Sequence, residues 1–442
     1  MFQRASILVG LLWCVALLSL LVVGVLHTAQ MDLRVGKNFT DRIQAHYLAL
    51  AGIEKAKALL LQNARERSHG GNNHDGQLYN LPAQFRDVEF SRGTFSVLRR
   101  ARTDEGGGVV YGVDDEESRL NVNTADADQL TRLPGLTPEI ATAILNWRGG
   151  GENSVAEADY YASLQPPAQP RFGPFETLRE LLMVRGVTAE QLLGDDEHQN
   201  GMTEVVGEDA AGLPQFETVP ADENLGWAFS LTVDSAVKNL NAAGEKRVNI
   251  QTADESTLTT VHGITPEIAR AMVAYREKNK FQSIADLLDV TPPPSPRGRG
   301  KSSDADAAAG GPNGISESLF MDIADDVTVA DDNSPAGNIN INTAGLAVLC
   351  CLPQVDRNLA RQIIGYRRSS GFFKNIAGLL KVEGLSREIF KAVAPLVTVR
   401  SETFRILCEG RIKSTGTRQR VQEIVRVGSD AIKTLSYRED DL

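Results

Sequence analysis

The most marked hydrophobic pattern in the chain is an apolar run near its start. The run extends from Ile7 to Leu26 without a charged residue. As a helix rising about 1.5 Å per residue, it covers roughly 30 Å, the thickness of a bilayer's hydrocarbon core. The apolar part of a cleaved secretory signal is shorter, at about 7–15 residues. The run therefore predicts a membrane-spanning helix, with anchor positions at Ile7, Trp13, Leu17, Leu21 and Leu26.

The helical pattern continues past Asp32 to about Gln62. Apolar and aromatic residues step by three or four along this stretch, which is typical of one face of an α-helix. We expect one helix to cross the membrane and then offer this stripe to a soluble body. The stripe consists of Phe39, Ile43, Tyr47, Leu50 and Ile53.

Alternating patterns near both ends of the chain predict β-strands. GTFSVLRRAR and VVYGV flank a glycine-rich turn, and VTVRSETFRILCEGRI, RVQEIVRVG and AIKTLSYRE end the chain. An isolated two-stranded hairpin is marginal in water. We therefore expect the early and late strands to form one antiparallel sheet on the long helix, with everything between them inserted.

The middle of the chain repeats itself, and such self-similarity marks stacked supersecondary units. The three copies begin at Leu120, Val248 and Ile339. Each predicts a helix, a tight turn and a second helix, followed by an aromatic-led second hairpin from Phe175, Phe281 or Phe373. We expect Thr124, Thr252 and Thr343 to cap the first helices. The turns are Pro134-Gly135, His262-Gly263 and Pro353-Gln354.

These repeats resemble the helix-hairpin-helix motif, which in its DNA-binding form holds a phosphate on the N–H groups of the turn and helix start. The motif's second glycine is replaced here by Thr137, Thr265 and Asp356. The chain is also acidic, with a net charge of −11, which repels nucleic acid. We interpret the hairpins as packing units, with nucleic acid an unfavoured partner. Basic residues cluster only in the third copy, at Arg357, Arg361, Arg367 and Arg368.

The whole layout resembles the K-type minor pseudopilin of the type II secretion system. The resemblance rests on the apolar start, the helix text LALAGIEKAKALL, the step DDEESRLNVNTA, LTVDS and the ending VTVRSETFRILCEGR. It implies an α+β fold in which a pilin-like long N-terminal helix lies on an antiparallel sheet. A large all-helical domain of helix-hairpin-helix repeats is inserted into that sheet.

The resemblance also implies a function and a location. It implies a subunit at the pseudopilus tip that initiates or caps assembly for the export of folded proteins across the outer membrane. Its partners would be other minor pseudopilins, the major pseudopilin, the inner-membrane secretion platform and prepilin peptidase. The chain would be a single-pass inner-membrane protein with its body in the periplasm. The alternative is a membrane-tethered helix-hairpin-helix DNA receptor of the competence type.

Two features of the first residues follow from this resemblance. Pilin-like precursors are cut after a basic leader, which here points to the bond between Ala5 and Ser6. The fifth mature position, where pilins usually carry Glu, would then be Gly10. The resemblance includes this lack of a carboxylate, which suits a terminal subunit.

The predicted boundaries divide the chain into eight parts. Residues 1–30 form the leader and membrane helix, 31–119 the pseudopilin helix and first strands, and 399–442 the closing strands. The helix-hairpin-helix units occupy 120–193, 248–290 and 338–398. An acidic linker with a connecting strand occupies 194–247. A largely disordered acidic linker rich in Pro and Gly occupies 291–337, with a short helix near Ile315 to Ile323.

The candidate chemistry is limited to carboxylate clusters. No nucleophile elbow, P-loop or HExxH is present, so we expect no enzyme activity and no required cofactor. Calcium favours clustered carboxylate oxygens, and the resemblance implies that this ion can bind. Candidate ligands are Asp114, Asp115, Glu116 and Glu117, and Asp325, Asp326, Asp331 and Asp332. The sequence leaves undecided whether Cys350 or Cys351 forms a disulfide with Cys408.

Overall fold

The structure, a computed structural model, describes residues 3–68, 75–102, 104–149, 154–196, 225–290, 315–330 and 337–439. Helix α1 extends from Gln3–Ser68 without a break, six residues beyond the predicted end at Gln62. Two short helices follow, α2 (Asp75–Leu78) and α3 (Pro82–Phe85). The first strands are then β1 (Val88–Phe90), β2 (Gly93–Arg100), β3 (Val109–Val110) and β4 (Asp114–Asp115).

The first helical unit begins and ends with a short strand. After a 3₁₀ turn at Glu116–Ser118 come β5 (Leu120–Asn121), α4 (Ala127–Thr131), α5 (Pro138–Trp147) and α6 (Ser154–Ala162). A 3₁₀ helix at Leu178–Met183, α7 (Ala189–Leu193), a 3₁₀ turn at Trp227–Phe229 and β6 (Leu231–Thr232) complete it. Strands β5 and β6 pair in parallel.

The other two units repeat this plan. The second contains β7 (Val248–Asn249), α8 (Glu255–Leu258), α9 (Pro266–Lys278), a 3₁₀ helix at Ile284–Asp289, α10 (Glu317–Ile323) and β8 (Val327–Thr328). The third contains β9 (Ile339–Asn340), α11 (Leu346–Leu349), α12 (Arg357–Ser370), 3₁₀ helices at Ile376–Lys381 and Ala394–Leu396, α13 (Arg387–Val393) and β10 (Val397–Thr398). Each unit is closed by its own parallel strand pair.

The predicted boundary at residue 291 cuts through the second unit. Helix α10 matches the short helix predicted near Ile315 to Ile323, but α10 and strand β8 belong to the second unit and not to a linker. Phe320 and Ile323 of α10 are fully buried, and Phe320 meets Phe390 of the third unit edge-to-face at 5.8 Å. These few apolar residues order a segment whose average composition is acidic. Residues 291–314 and 331–336 lie outside the described residues.

Three long strands end the chain and complete the sheet. They are β11 (Thr403–Ile412), β12 (Arg418–Val427) and β13 (Ile432–Arg438). The sheet order is β1-β2-β11-β12-β13, with β3 beside β2 and β4 beside β11. Strand β2 pairs antiparallel with β11, from Leu98 opposite Leu407 to Gly93 opposite Ile412. The prediction that the early and late strands share one sheet is confirmed, as is the α+β, pilin-like fold class.

The helix packs on the sheet through a face of alternating alanines and large aliphatic residues, which overlaps the predicted stripe only at its C-terminal end. The contact face consists of Ala45, Leu48, Ala49, Ile53, Ala56 and Leu60, all buried. Phe39, Ile43 and Tyr47 are exposed by 66%, 41% and 65%, so the predicted stripe is wrong at these positions. Ile53 is buried, and Leu50 is half-buried against the core. Small residues stand where the helix approaches the sheet most closely: a β-carbon on Gly52 of α1 would lie 2.3 Å from Cys408 Sγ of β11.

This close approach yields the first testable prediction. A β-carbon on Gly410 of β11 would lie 2.0 Å from the Ala45 carbonyl oxygen of α1. The change Gly410→Val therefore overpacks the helix–sheet contact and destabilises it by about 1–3 kcal/mol or more. The thermal unfolding midpoint in detergent, followed by circular dichroism, should fall. Gly365→Ala is the control, because a β-carbon there meets nothing within 4 Å and alanine favours a helix; an equal fall in both variants would contradict the packing explanation.

Candidate functional site

The first candidate site is the apolar half of α1. Trp13, Leu17, Leu21 and Leu26 are each more than half exposed. Among the described residues, α1 is the one helix long and apolar enough to cross a membrane, by length and composition. Ile7, Ala5 and Ser6 lie within α1, and cleavage between Ala5 and Ser6 stays a prediction.

The second candidate site is a buried junction formed by the acidic run after β4. Asp115, Glu116 and Glu117 are at most 1% exposed. Asp114 forms an ion pair with Arg119. Glu116 accepts hydrogen bonds from Arg405 Nε at 2.6 Å and Arg119 Nη1 at 3.1 Å. Since Arg405 belongs to β11, these pairs join the start of the helical insertion to the sheet.

The other two carboxyls of the run reach into the first and third units. The Asp115 carboxyl accepts from Asn340 Nδ2 at 3.0 Å and from the Thr343 hydroxyl. Glu117 accepts from the backbone N–H of Thr403 at 3.1 Å and of Ala236 at 3.3 Å. One four-residue run therefore connects the sheet, the end of the first unit and the start of the third.

The four carboxyls fall into two electrostatic classes. Burial raises the pKa of Asp114 and of Glu116, but the facing guanidinium groups of Arg119 and Arg405 outweigh burial, so both pKa values lie below the ordinary range. Burial raises the pKa of Asp115, and burial together with the Asp115 charge raises the pKa of Glu117 well above its ordinary value. The first pair is ionised, and within the second pair Glu117 holds its proton to a higher pH than a solvated carboxyl does, because it faces the Asp115 charge.

These contacts bear on the calcium prediction. Among the described residues, no group of three or more His, Cys, Asp or Glu side chains is arranged to hold a metal ion. The run Asp114–Glu117 already binds arginine, amide and hydroxyl donors. Asp325 is paired with Arg247 at 3.0 Å and with Arg400, and Asp326 accepts from Asn241 at 2.9 Å. Calcium stays a prediction; Asp331 and Asp332 lie outside the described residues.

Each helical unit is held by the same asparagine at its first strand. Asn121, Asn249 and Asn340 each accept the backbone N–H two residues on, at 2.8, 2.9 and 2.9 Å. The next repeated position binds the aromatic residue that opens the second hairpin. Asn123 accepts from the Phe175 N–H at 2.7 Å, and Asn342 accepts from the Phe373 N–H at 2.7 Å. The repeated residues therefore hold the backbone of each unit in place.

A repeated arginine has the same structural role in every unit. Arg148 donates to the Val122 and Ala125 carbonyls, Arg276 to Ile250 and Ala253, and Arg367 to Ile341 and Ala344. Arg367 is 4% exposed and also meets Asp104 at 3.2 Å. Counting Arg367 in the basic surface of the third copy was therefore wrong, since its charge is used inside the fold.

The hairpin turns are closed by their own side chains. Thr137 and Thr265 accept the N–H groups of Ile140 and Ile268 at 3.4 Å, and Asp356 accepts that of Leu359 at 2.7 Å. The residues that replace the motif's second glycine therefore cap the second helices, where a phosphate would bind. The backbone of the turns is left-handed at Gly135, at Gly263 and, with φ of 59°, at Gln354.

The expected caps of the first helices are wrong by two residues. The N-caps are Asp126, Asp254 and Gly345, not Thr124, Thr252 and Thr343. Asp126 and Asp254 accept N–H groups with their carboxylates at 2.7 and 2.8 Å. A glycine replaces them in the third unit, so α11 has no side-chain cap.

The closing strands of the units also belong to the repeat, and the sequence contains a signal for them. LTV at 231–233, VTV at 327–329 and VTV at 397–399 recur in register. Thr232, Thr328 and Thr398 each accept the N–H two residues on. The four cysteines, Cys14, Cys350, Cys351 and Cys408, are free.

Parts of the chain are similar to a known sequence motif and to known proteins. A family model described as "Helix-hairpin-helix motif" matches residues 115–157, 244–292 and 334–398. The chain is similar to ComE operon protein 1 of Bacillus subtilis (strain 168), 33% identical over 73 residues, which are 16% of this chain and 36% of that protein. It is also similar to endonuclease/exonuclease/phosphatase family domain-containing protein 1 of Mus musculus, 29% identical over 150 residues, 32% of this chain and 26% of that protein. The chain thus spans about a quarter of the length of this relative.

Among solved structures, the chain is similar to one in the GspK-GspI-GspJ complex from the enterotoxigenic Escherichia coli type 2 secretion system. The identity is 12% and the TM-score 0.42, with 91% of this chain and 99% of that chain covered. The described chain is an α+β protein in which one long helix lies on an antiparallel sheet. Its inserted domain carries helix-hairpin-helix motifs in three places.

The junction predicts a pH dependence of stability. The pKa of Glu117 is raised above its ordinary value of 4.5 by burial and by the Asp115 charge. The folded state therefore binds more protons than the unfolded chain. Its contribution is complete below about pH 4.5 and is lost as pH rises through the folded pKa. The thermal midpoint should fall more between about pH 5 and pH 8 in the wild type than in Glu117→Gln. Glu190→Gln, at an exposed position, is the control; identical profiles in the wild type and Glu117→Gln would count against a titrating junction.

The contacts of the repeated arginine predict that its replacement destabilises the unit locally. Arg367→Met removes a buried cation from Asp104 and leaves two carbonyls without a donor, which costs about 3–5 kcal/mol. Arg368→Met, one residue away on the exposed side, should cost less than about 0.5 kcal/mol. Hydrogen exchange of the α12 amides measures the difference. Equal protection in both variants would exclude the structural role of Arg367.

Proposed function

We propose that this protein is a minor pseudopilin of a type II secretion system, of the K type. It acts at the tip of the pseudopilus, where it initiates or caps assembly for the export of folded proteins across the outer membrane. The observation that carries the proposal is α1. Its first part is apolar and exposed, whereas its second part packs on a sheet that the helical insertion divides. Such a helix can be held by a membrane and by neighbouring helices.

The exposed face of α1 supports assembly with other subunits. Phe39, Ile43 and Tyr47 recur every four residues on this helix and are exposed, although the opposite face packs on the sheet. Large exposed apolar residues in a row are typical of an interface. We propose that the helices of other minor pseudopilins and of the major pseudopilin cover this row.

The tip position is supported by Gly10 and by the size of the insertion. A subunit inside a pilin-like filament uses a carboxylate near its N-terminus to neutralise a neighbour's amine, because an unpaired charge among apolar helices costs several kcal/mol. Gly10 has no carboxylate, and a subunit with nothing above it needs none. Three helical units would also crowd a continuous filament.

The remaining parts of the proposal concern location and processing. The membrane helix lies in the inner membrane, and the sheet and helical units lie in the periplasm. Prepilin peptidase cuts between Ala5 and Ser6, and the protein contacts the inner-membrane secretion platform. It is not an enzyme and requires no cofactor.

A second candidate, a membrane-tethered DNA receptor of the competence type, is favoured by the helix-hairpin-helix motifs and the similarity to ComE operon protein 1. The caps count against it. Thr137, Thr265 and Asp356 occupy the helix starts that would hold phosphates. Among these, Asp356 adds a negative charge.

The proposal predicts how Gly10 affects secretion. Gly10→Glu should leave the secretion of folded cargo unchanged, because a terminal subunit places no neighbour's amine beside this position. Gly410→Val, which disrupts the helix–sheet contact, should reduce secretion and provides the control. Electron microscopy of the purified full chain should show no long filaments. Long homopolymers would contradict the tip position.

Duplex DNA binding separates the two candidates. The full chain in detergent should bind a duplex weakly at both about 50 mM and about 200 mM salt. Sub-micromolar binding that falls about a thousandfold between these salt concentrations would favour the DNA receptor.

A further inference from the structure

Three arginines form a row along one exposed face of α12. Arg357, Arg361 and Arg368 are all exposed. At 100° per residue they fall within an arc of about 40°, and at about 1.5 Å per residue the row is about 16 Å long. Gly365 lies between the last two, and a β-carbon there would meet nothing within 4 Å. The surface is therefore low between Arg361 and Arg368, so a partner can approach closely.

The row has no acidic partner in the part of the chain that the structure describes. None of its three guanidinium groups forms an ion pair there, whereas Arg367 on the same helix pairs with Asp104. Arg132 of the first unit adds a fourth cation nearby and donates to the Leu352 carbonyl at 3.4 Å.

The Cys350 thiol lies close enough to several of these cations for their charges to affect its pKa. Burial and the Asp356 charge raise its pKa, whereas the charges of Arg357, Arg361 and Arg132 lower it. These three arginines and the Asp356 carboxylate therefore all lie near this thiol.

The other two units show that the fold does not require the row. They share the hairpin plan, the repeated asparagine and the repeated arginine. The positions that correspond to Arg357, Arg361 and Arg368 hold Pro138, Thr142 and Gly149 in the first unit and Pro266, Arg270 and Glu277 in the second. The single arginine among them, Arg270, faces Glu267 at 3.5 Å. Three cations in register, without an ion pair among the described residues, are thus a property of the third unit.

We propose that the arginine row of α12 is a docking surface for a short acidic segment of a partner protein. Guanidinium groups pair well with carboxylates in two-point hydrogen bonds. The carboxylate of Asp356 stands at the start of the row, and the chain as a whole carries −11. A long polyanion such as a duplex would extend over this acidic body, whereas a segment of about 16 Å fits within the row. The inference does not depend on the secretion role.

The test uses the full chain in a nonionic detergent and a fluorescent decaglutamate peptide as the probe. We expect binding that weakens as salt rises. The triple variant Arg357→Gln, Arg361→Gln, Arg368→Gln should weaken binding about tenfold. The triple lysine variant, which keeps the charge, should remain within about threefold of the wild type.

Arg270→Gln is the matched control, because it removes an exposed arginine at the corresponding face of the second unit. It should leave peptide binding unchanged. Circular dichroism checks that each variant is folded. The proposal is overturned if the peptide does not bind, if the triple glutamine variant binds like the wild type, or if a 20-base-pair duplex binds the row more tightly than the peptide.

Discussion

The constraint on which the rest of the structure depends is the pairing of β2 with β11. These strands belong to opposite ends of the chain, and the helical insertion lies between them. The long helix needs both, because the small contact face around Ala45 and Ala49 reaches strands from both ends. Gly93 and Gly410 lack a β-carbon, so the backbones of β2 and β11 can lie close to α1. Folding must therefore bring distant segments together before α1 can pack on a complete sheet. Such a topology forms slowly, because the entropy of loop closure is lost before the stabilising contacts are made.

The sequence predicts this topology because strands, helix and repeat have different periods. It does not predict which side of α1 meets the sheet. Large residues such as Phe39 and Tyr47 stand out on a helical projection, but both are exposed. Alanines supply half of the actual face, and alanine carries little signal in a hydrophobic pattern. The same limit affects Arg367 and Arg368, which are neighbours in sequence yet differ in burial because one residue rotates the helix by about 100°.

The acidic run illustrates why candidate chemistry is harder to predict than fold. In the sequence, Asp114 to Glu117 is a cluster of oxygens, and a cation is a reasonable partner. The cation that the fold supplies is arginine, from Arg119 nearby and from Arg405 at the other end of the chain. Only the pairing of Asp114 opposite Arg405 in the β4–β11 ladder brings these groups together. No local pattern contains that information, and the polar partners of Asp115 and Glu117 come from still other units.

The way each unit is closed explains how a pilin-like sheet accommodates so large an insertion. The insertion leaves the sheet at Asp115 and returns at Phe404, and these residues lie opposite one another. Every helical unit likewise begins and ends on one parallel strand pair, so its two ends lie side by side. An element whose ends are adjacent can be added without moving what flanks it. A third unit therefore leaves the sheet unchanged, and its outer helix face is free to carry residues, such as the arginine row, that the shared scaffold does not need.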